Sequence, residues 1–529
     1  MKIFKSLLKT MSLLLIITSC DNQIIDLQPQ DRLTADQALN TIDGLEATMF
    51  QVFETLRNLH EGTDTSVYKQ AGTDLSLAGT NINDEPSAGL PAMNAYNVNL
   101  SPNSGPVAQI WDNHYRAIAN CNSVIENAIV PVTPEEEATV ARLEGQARTM
   151  RAYCYLELVR RFDNIPIAKV LPPGSEPSSE APLEDKSVIY DLILNDLTTA
   201  VPNLPNRTGT SGVGTPSSGL ANFLLSEVYL DLGMWKEAGD AAAECISTGG
   251  FSLQPLDGIF GLEGGKQGTE NNLEIMLSWV FDPAILNRRN RVVMMLVPLY
   301  DRVNGVARTF EQGGRPYGRM TPSTYYFSLF DNEDGRLNAW HKTTWQFDVD
   351  ITGDKIVEGS GFSIGDTVTP EYVLSPGGSV FANTAIINAA CTKTWEDGTY
   401  GRLVDGADGY RNVIVYRLSN AYLNAAEAYW RNGEAGKALP FINAIRERAY
   451  GNSSHNFTSL TEEDIIEEHA RELGFEGVRW SFLKRTGKLI ERVKLHNALA
   501  APNIQDKHLR WPIPQTFVDL ARVDQNTGY

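Results

Sequence analysis

Apolar residues recur every three or four positions over long stretches of the chain, and that spacing predicts amphipathic helices. The clearest stretches are residues 110–128 and 135–162, and a shorter one covers residues 185–200. Near the amino end, Thr34 is a residue type that caps helices, which predicts a helix over residues 35–58. The pattern therefore indicates a mainly α-helical protein.

Two segments of the chain, residues 217–247 and 417–449, repeat one pattern with a shift of 200 positions. A tyrosine, a glycine and an alanine recur at matching places, namely Tyr229 and Tyr429, Gly233 and Gly433, and Ala238 and Ala438. A bulky wedge, a turn glycine and a small residue on the second helix are typical of tetratricopeptide-like helical hairpins, which bury their apolar faces by stacking. The repeat predicts two such hairpins, although any helical hairpin needs small residues where its helices cross.

Residues 249–409 differ in character from the helical parts on either side. They hold 22 of the 43 glycines and four of the nine tryptophans of the chain. Short apolar runs such as residues 275–280 lie between turn signals and read as strands. We expect a mainly α, tetratricopeptide-like scaffold interrupted by a long, irregular, β-containing insert, and loops held on a rigid scaffold often carry recognition.

The aromatic residues of this insert suggest a carbohydrate-binding surface, because the C–H faces of sugar rings pack on flat aromatic rings. The residues selected as ligand-binding candidates are Tyr96, Tyr317, Trp340, Trp345 and Trp395. The alternative for each ring is that it packs the insert onto the helices. Exposure of the rings in the structure separates the two interpretations.

Composition narrows the functional classes. The chain has 529 residues, a net charge of −20 and 42% hydrophobic residues, which is ordinary for a folded protein. An acidic chain lacks the basic surface that neutralises phosphates, so we expect no nucleic-acid partner. Five cysteines are too few for a disulfide scaffold, and Cys121, Cys154 and Cys245 lie in helical patterns that predict buried free thiols.

The first 19 residues read as a signal peptide, with three lysines before a short apolar run at residues 11–17. The run ends in Ile-Thr-Ser-Cys, which resembles a bacterial lipobox and implies cleavage before Cys20 and acylation of that residue. Several acyl chains hold a protein stably on a membrane. Residues 20–33 are then a lipid-anchored tether. The alternative is an ordinary secretory signal that happens to contain a cysteine.

Candidate metal and catalytic motifs are weak. The seven histidines have no zinc-site spacing, and Asp348 opens a calcium-loop-like string in which Gly359 stands where a glutamate is expected. Residues Glu467, Glu468, His469 and Glu472 share a predicted helix and are expected to form a solvent-exposed acidic face. We therefore expect no cofactor, no metal and no catalytic residue, although paired carboxylates for glycoside hydrolysis carry no spacing signature.

Four stretches together resemble the SusD/RagB family of outer-membrane nutrient-binding lipoproteins. They begin RAYCYLELVRRF, YRLSNAYLNAAEA, RELGFEGVRW and PIP, and they lie at residues 151–166, 416–449, 471–480 and 512–529. With the lipobox, the markers run from residue 17 to 529. The third stretch departs from the family pattern, which usually has arginine in place of His469 and, shortly after, aspartate in place of Phe482.

The resemblance implies a SusD-like fold in a single domain. Its expected parts are residues 34–248 and 410–529, which form the helical scaffold, and residues 249–409, which form the insert and the ligand face. The resemblance also implies a cell-surface, outer-membrane location and a SusC-like TonB-dependent β-barrel transporter as partner. The protein would capture oligosaccharides and pass them on without catalysis. A peptide-binding member of the family and a surface glycoside hydrolase are the alternatives.

Overall fold

The fold is seen in a computed structural model of the chain. It describes residues 40–62, 65–79, 89–126, 129–169, 181–210, 212–260, 271–282, 284, 289–348 and 361–529. The predicted signal peptide, the tether with Cys20, the cap Thr34 and residues 349–359 of the calcium-loop-like string lie outside these residues.

The amino-terminal part of the scaffold is helical. Its helices are α1 (Ile42–Arg57), α2 (Gly89–Ala95), α3 (Gly105–Ile125), α4 (Pro134–Phe162), α5 (Lys186–Ala200), α6 (Ser218–Asp231) and α7 (Trp235–Thr248). These bounds confirm the helices predicted from apolar spacing at residues 110–128, 135–162 and 185–200. None of the helices among the described residues is both long and apolar enough to cross a bilayer.

Helix starts follow from side-chain caps. The Thr133 hydroxyl accepts a hydrogen bond from the backbone N–H of Glu136 at 3.2 Å, and Pro134 fills the first helical position of α4. Helix α1 begins at Ile42, where the hydroxyl of Thr41 accepts from the Gly44 N–H at 3.1 Å. Of the helix predicted over residues 35–58, residues 42–57 are confirmed and residues 35–39 lie outside the described residues.

The insert and the carboxyl-terminal part contain shorter elements. Those of the insert are α8 (Leu256–Phe260), α9 (Val292–Met295), α10 (Thr324–Ser328), α11 (Gly335–Ala339) and α12 (Pro370–Leu374). After them come α13 (Leu418–Arg431), α14 (Ala435–Tyr450), α15 (Glu462–Leu473), α16 (Arg479–Arg485), α17 (Leu489–His496) and α18 (Gln515–Ala521). The described strands are β1 (Ser76–Ala78), β2 (Ile275–Trp279), β3 (Met320–Pro322), β4 (His341–Lys342), β5 (Ala390–Cys391) and β6 (Val413–Arg417).

Strand pairing ties the insert to both flanking parts. The described strands form three two-stranded antiparallel sheets, β1 with β3, β2 with β6, and β4 with β5. The strand predicted at residues 275–280 is confirmed as β2, and its partner β6 leads directly into α13. The mainly helical scaffold with an irregular, β-containing insert is therefore confirmed.

The two repeat copies form helical hairpins that pack directly on each other. Gly233 and Gly433 turn each hairpin at φ +71° and +78°, a left-handed conformation that favours glycine. A Cβ at Gly239 of α7 would lie 2.8 Å from the ring of Tyr429, so that ring needs a small residue beneath it. The Tyr429 hydroxyl also donates to Asp240 at 3.0 Å. The repeat predicted from sequence is thus a real structural repeat.

The four described cysteines are buried free thiols, namely Cys121, Cys154, Cys245 and Cys391. This confirms the prediction for the first three. Burial also raises the pKa of each thiol, since a thiolate loses its hydration in an apolar interior.

A network of buried ion pairs joins the insert to the carboxyl-terminal helices. Arg336 on α11 pairs with Glu468 and Glu472 on α15 at 2.7 and 3.0 Å. Arg417, the last residue of β6, pairs with Glu472 at 2.5 Å and with Glu274 at 2.8 Å. All five side chains are fully buried. The network therefore fixes the insert against α15 and β6.

The exposed acidic face predicted on this helix is wrong for Glu468, His469 and Glu472, which are buried. The reason is that cations from other segments surround the two acids. Burial alone would raise the pKa of Glu468, but neighbouring arginines, Arg336 first among them, lower it to about 2. Of the predicted face, Glu467 keeps a partly exposed side chain.

The network gives a test of the fold. Arg336→Met leaves three buried carboxylates, those of Asp334, Glu468 and Glu472, without a main cation. We expect the free energy of unfolding to fall by about 3–5 kcal/mol. Urea unfolding followed by circular dichroism measures the change. Lys236→Met, which breaks the exposed pair of Lys236 with Asp240, is the control and should leave the midpoint in place. Equal effects of the two substitutions would contradict the role given to the network.

Candidate functional site

Two of the predicted ligand-binding residues, Trp345 and Trp395, are buried in the interior of the insert. Their exposed fractions are 1% and 2%. The ring of Trp345 stacks on Tyr300 with centroids 4.7 Å apart and planes 10° apart, and Trp395 lies 6.3 Å from Trp345. With Phe347 and several aliphatic residues these rings form a small core of the insert.

Trp340 and Tyr96 are also buried, each in a different place. The indole N–H of Trp340 donates to the Leu256 carbonyl at 3.0 Å, and its ring meets Phe260 edge-on at 5.4 Å. The Tyr96 hydroxyl donates to the Gly72 carbonyl at 2.6 Å and accepts from the indole N–H of Trp480 at 3.0 Å. These two rings therefore contact protein atoms.

Tyr317 is the one half-buried member of the predicted set. The guanidinium of Arg319 lies over its ring at 4.8 Å. The structure thus brings Trp345 and Trp395 together and leaves the other three apart. A sugar ring could stack on the four buried rings only if the surrounding chain moved, and a role of these five residues in ligand binding stays a prediction.

An exposed aromatic ring does occur on the insert, at Phe381. Its exposed fraction is 52%, and the guanidinium of Arg302 lies 5.8 Å from its centroid. Val303 pairs with Ser379 in a β-bridge, and the Tyr372 hydroxyl donates to the Asn304 carbonyl at 3.1 Å. We call the surface formed by Arg302, Asn304, Tyr372 and Phe381 the aromatic edge. It combines a flat ring with hydrogen-bonding groups.

A cavity of about 70 Å³ lies where the segment after α1, the β2–β6 sheet, the start of α9 and the segment after α15 meet. Its apolar walls include the aromatic residues Phe260, Trp279, Tyr416 and Phe475. Its polar lining includes His60, Lys69, Gln70, Asn290, Thr394 and Glu476. The cavity therefore brings aromatic and polar residues together in one partly open space.

Backbone hydrogen bonds hold the segments around the cavity. Asn290 and Gly409 exchange two of them, at 2.8 and 2.9 Å, and the Asn290 side-chain amide donates to the Arg411 carbonyl at 2.7 Å. A Cβ at Gly409 would lie 2.4 Å from Val293, so glycine is needed for this close approach. The chain at residues 409–411 is therefore held by main-chain hydrogen bonds and also by two side chains, Asn290 and Glu396. The Glu396 carboxylate accepts from the N–H groups of Tyr410 and Arg411 at 2.7 and 2.8 Å.

Three side chains of the cavity lining carry a buried polar atom that has no hydrogen-bond partner within the described parts of the chain. The atoms are Nδ1 of His60, Oε1 of Gln70 and Oγ1 of Thr394. The Gln70 amide nitrogen is engaged, since it donates to the Phe475 carbonyl at 3.2 Å. Buried polar atoms usually find a partner in protein or water. These three atoms have almost no surface that water can reach, so they lie behind the cavity surface and do not face its space.

Charged groups at the cavity are engaged with protein partners. Lys69 pairs with Glu157 at 2.9 Å and donates to the Tyr153 hydroxyl at 3.1 Å. Lys393 donates to the carbonyls of Glu472 and Gly474 and pairs with Glu476 at 2.7 Å.

Burial lowers the pKa of both lysines below the usual value. Burial would raise the pKa of Glu476, but Arg417 and Lys393 outweigh it and lower the pKa. The lysines and the carboxylate therefore neutralise each other around the cavity.

His60 is neutral at physiological pH, since burial, with a smaller effect of Lys69, lowers its pKa to about 3. A neutral imidazole has one nitrogen that donates and one that accepts. Among the described residues, no group of three or more His, Cys, Asp or Glu side chains is placed to hold a metal ion. Hydrogen bonding and ring contact are thus the chemistry this cavity offers.

The cavity and the predicted residues are related through its walls. Phe260 and Lys393, which line the cavity, both contact Trp340, with the Lys393 ammonium 4.5 Å from its ring centroid. Arg411, also in the lining, donates to the Trp395 carbonyl at 2.6 Å. Trp340 and Trp395 therefore support the wall from behind.

The residues that sequence reasoning missed are His60, Gln70 and Thr394. They come from segments more than 300 positions apart, and no spacing or composition links them. A polar residue type gives no signal that its side chain will be buried without a partner. Only the folded chain brings these atoms to one place.

Two protein-family models match the chain, and both describe SusD-type proteins. Residues 300–529 match the model described as the SusD family. Residues 46–230 match the model described as starch-binding and associating with the outer membrane. Together the two matched ranges include most of the scaffold and the second half of the insert.

Similar proteins extend over nearly the whole chain. A SusD-like protein P38 from Formosa agariphila is 22% identical over 558 aligned positions, covering 100% of both chains. A solved laminarin-binding SusD-like protein has a TM-score of 0.70 at 24% identity, covering 92% of this chain and 99% of its own.

Another solved structure, the surface glycan-binding protein A of Bacteroides thetaiotaomicron with laminarihexaose, has a TM-score of 0.68 at 18% identity. It covers 91% of this chain and 98% of its own. These two structures confirm a SusD-like fold.

Substitution of a predicted ring separates packing from ligand contact. Trp340→Ala removes a fully buried indole, and we expect the free energy of unfolding to fall by about 3–5 kcal/mol. Phe381→Ala, at the aromatic edge, should cost less than about 1 kcal/mol. Urea unfolding of both variants measures this. A Trp340→Ala protein of unchanged stability that has lost ligand affinity would instead assign the ring to binding.

Proposed function

We propose that this chain, which belongs to the SusD-like family, binds oligosaccharide or polysaccharide nutrients at the cell surface and delivers them to a SusC-like TonB-dependent transporter without catalysis. The observation that carries the proposal is that two family models of this kind match the chain on both sides of residues 231–299. The names of the similar structures, which concern laminarin and surface glycans, point to the same ligand class.

The chemistry of the candidate site supports a carbohydrate ligand. Sugars present apolar C–H faces and hydroxyl groups, and the cavity lining combines aromatic residues with polar side chains. The aromatic edge adds an exposed ring beside Arg302 and Tyr372. Recognition by a few convergent polar groups in a largely apolar site is the usual mode for small-ligand binding.

Binding without hydrolysis also fits the carboxylates at the cavity. Glycoside hydrolysis needs a pair of carboxyl groups, one of them protonated to act as the acid. Glu476 is the one acidic residue among the described residues that line the cavity. Its carboxylate is bound to Arg417 and Lys393 with a lowered pKa, so it is a poor proton donor.

Location and partner follow from the same proposal. The Ile-Thr-Ser-Cys string supports a lipid anchor at Cys20, and one of the matched family models is described as associating with the outer membrane. An anchored binding protein can hand its ligand to a transporter only if the two proteins stay together. The transporter should therefore be isolated with it.

Binding is tested with a panel of neutral glycans that includes laminarin and starch. We expect at least one to bind with micromolar or weaker affinity, about −8 kcal/mol or less favourable, because a delivering protein must release its ligand. Isothermal titration calorimetry measures affinity, and chromatography of the glycan after long incubation measures release of products. Phe381→Ala should weaken binding at unchanged stability. Shortened glycan products, or binding of peptides alone, would refute the proposal.

Partner and anchor are tested by affinity purification of the tagged protein from its native membrane in mild detergent. We expect a large β-barrel transporter in near-equal amount, and incorporation of labelled palmitate into the protein. Cys20→Ser removes the acylated thiol and should abolish the label, while Cys391→Ser, which alters a buried thiol, should keep it. Repeated recovery of the acylated protein alone would contradict delivery to a transporter.

A further inference from the structure

We propose that the aromatic edge binds internal units of a polysaccharide side-on, so that both ends of the ligand chain extend beyond the site. The inference rests on the proposed function for the ligand being a carbohydrate. It adds the place of binding and the part of the ligand that is recognised. It depends on groups of the aromatic edge that a ligand can reach and on the openness of the surface around them.

The ring of Phe381 is accessible to a sugar without any movement of the chain. Of the aromatic side chains in the described parts of the chain, only those of Phe50 and Phe381 are exposed, with exposed fractions of 51% and 52%. Phe50 lies on α1 of the scaffold, and Phe381 lies on the insert. The C–H face of a sugar can therefore pack on Phe381 as the protein stands.

Accessible hydrogen-bonding groups lie beside this ring. The Arg302 side chain is 51% exposed, and among the described residues its guanidinium makes no hydrogen bond and has one ion pair, with Asp301 at 3.9 Å. Arg308 binds the same carboxylate more closely, at 2.9 Å. The amide nitrogen of the exposed Asn304 donates to the Gly377 carbonyl, and no donor of the described residues reaches its Oδ1.

These groups lie on one face of the insert. Arg302 and Asn304 flank Val303, which is buried and pairs with Ser379 in a β-bridge. Alternate side chains of extended chain point to the same side, so those of Arg302 and Asn304 share the outer face. Arg302 supplies donors and Asn304 an acceptor, which suits hydroxyl groups because each of them both accepts and donates.

The turn that carries Phe381 is closely fixed. A Cβ at Gly378 would lie 1.8 Å from the Tyr372 carbonyl oxygen, so the turn requires glycine there. The backbone N–H of Asn304 donates to the Gly378 carbonyl at 3.0 Å. Ala382, next to Phe381, has φ +44°, which is uncommon for a residue with a side chain. Conformations of this kind cluster at ligand sites, and a fixed turn spares the ligand the cost of ordering it.

The surface around the ring is open. The chain is exposed on both sides of it, at residues 376–377 and 380–383, and the exposed fraction of Val380 is 73%. Leu374, at the end of α12, is 55% exposed. A ligand lying on such a surface contacts it through the sides of its units and continues in both directions. Internal units are therefore the part that the aromatic edge recognises.

The test uses the full mature protein and oligosaccharides cut from a glycan that binds in the panel. For laminarin the probes are glucose, laminaribiose, laminarihexaose and a hexamer blocked at both ends, by reduction at one end and methylation at the other. Calorimetry should show affinity that rises by about tenfold or more from glucose to the hexamer, since more units contact the surface. The blocked hexamer should bind within about twofold of the free one.

Two substitutions assign this binding to the aromatic edge. Phe381→Ala removes the ring and should lower hexamer affinity by about three- to tenfold. Arg302→Gln removes the guanidinium and should lower it by about two- to tenfold. The matched control is Phe50→Ala, which removes the other exposed ring and should leave affinity unchanged. Unfolding midpoints establish that all three variants are folded.

The inference is wrong if glucose binds as tightly as the hexamer, or if blocking the ends abolishes binding, since either result places a chain end in a pocket. It is also wrong if Phe381→Ala and Phe50→Ala bind the hexamer equally well. In each of these cases glycan binding persists and the proposed function stands. If the unaltered protein binds no glycan of the panel, the proposed function itself fails, and this inference fails with it.

Discussion

Arg336 and Arg417 are buried cations, and the position of the insert depends on how they are neutralised. Removing a charged side chain from water costs several kcal/mol, which only a complete set of close partners offsets. The partners come from two parts of the chain: Glu274 and Asp334 from the insert, and Glu468 and Glu472 from α15. Because all of these contacts must form at once, the network permits one arrangement of insert and scaffold.

The same network shapes the cavity. Glu476 lies just beyond the end of α15 and pairs with Arg417 at 2.6 Å and with Lys393 at 2.7 Å. Lys393 in turn places Thr394 in the cavity lining, and β6 ends at Arg417 after passing along the cavity wall. Glu476 and Lys393, which line the cavity, are therefore paired within the protein. The aromatic rings and the uncharged polar residues make up much of the remaining lining.

The helical hairpins could be predicted because their signals are local. Turn glycines such as Gly433 act within one hairpin, so the same spacing recurs in both copies. The contact of Tyr429 with Gly239 joins the two hairpins, and the spacing within one copy does not show it. Glu468 and Glu472 were assigned to solvent wrongly, since nothing on α15 itself reveals the arginines that meet them from the insert and from β6.

The tryptophans show the same limit, because an aromatic residue in an irregular segment can serve either packing or binding. Trp345 and Trp395 pack into a small core of the insert, a role that depends on Tyr300 and Phe347 rather than on their own neighbours in sequence. The sequence gives even less indication of the unpartnered buried atoms of His60, Gln70 and Thr394. These residues come to line one cavity only in the folded chain.

Two departures from the family pattern, His469 and Phe482, prove to be in contact. Their rings stack with centroids 3.9 Å apart and planes 17° apart. Where the pattern has arginine and aspartate, which attract as ions, this chain has two flat rings that attract by stacking. Burial, and then Arg479 and Arg485, lower the pKa of His469 well below its usual value, so the ring is neutral and needs no acid opposite it.

Residues next to the stacked rings of His469 and Phe482 form ion pairs of their own. Arg479 keeps its ion pair with Asp74 at 2.7 Å, and Arg485 keeps its pair with Glu427 at 2.7 Å. Glu468, next to His469 in sequence, still faces Arg336 and the buried network. The stacked contact of His469 with Phe482 between α15 and α16 therefore lies beside these ion pairs and takes no part in them.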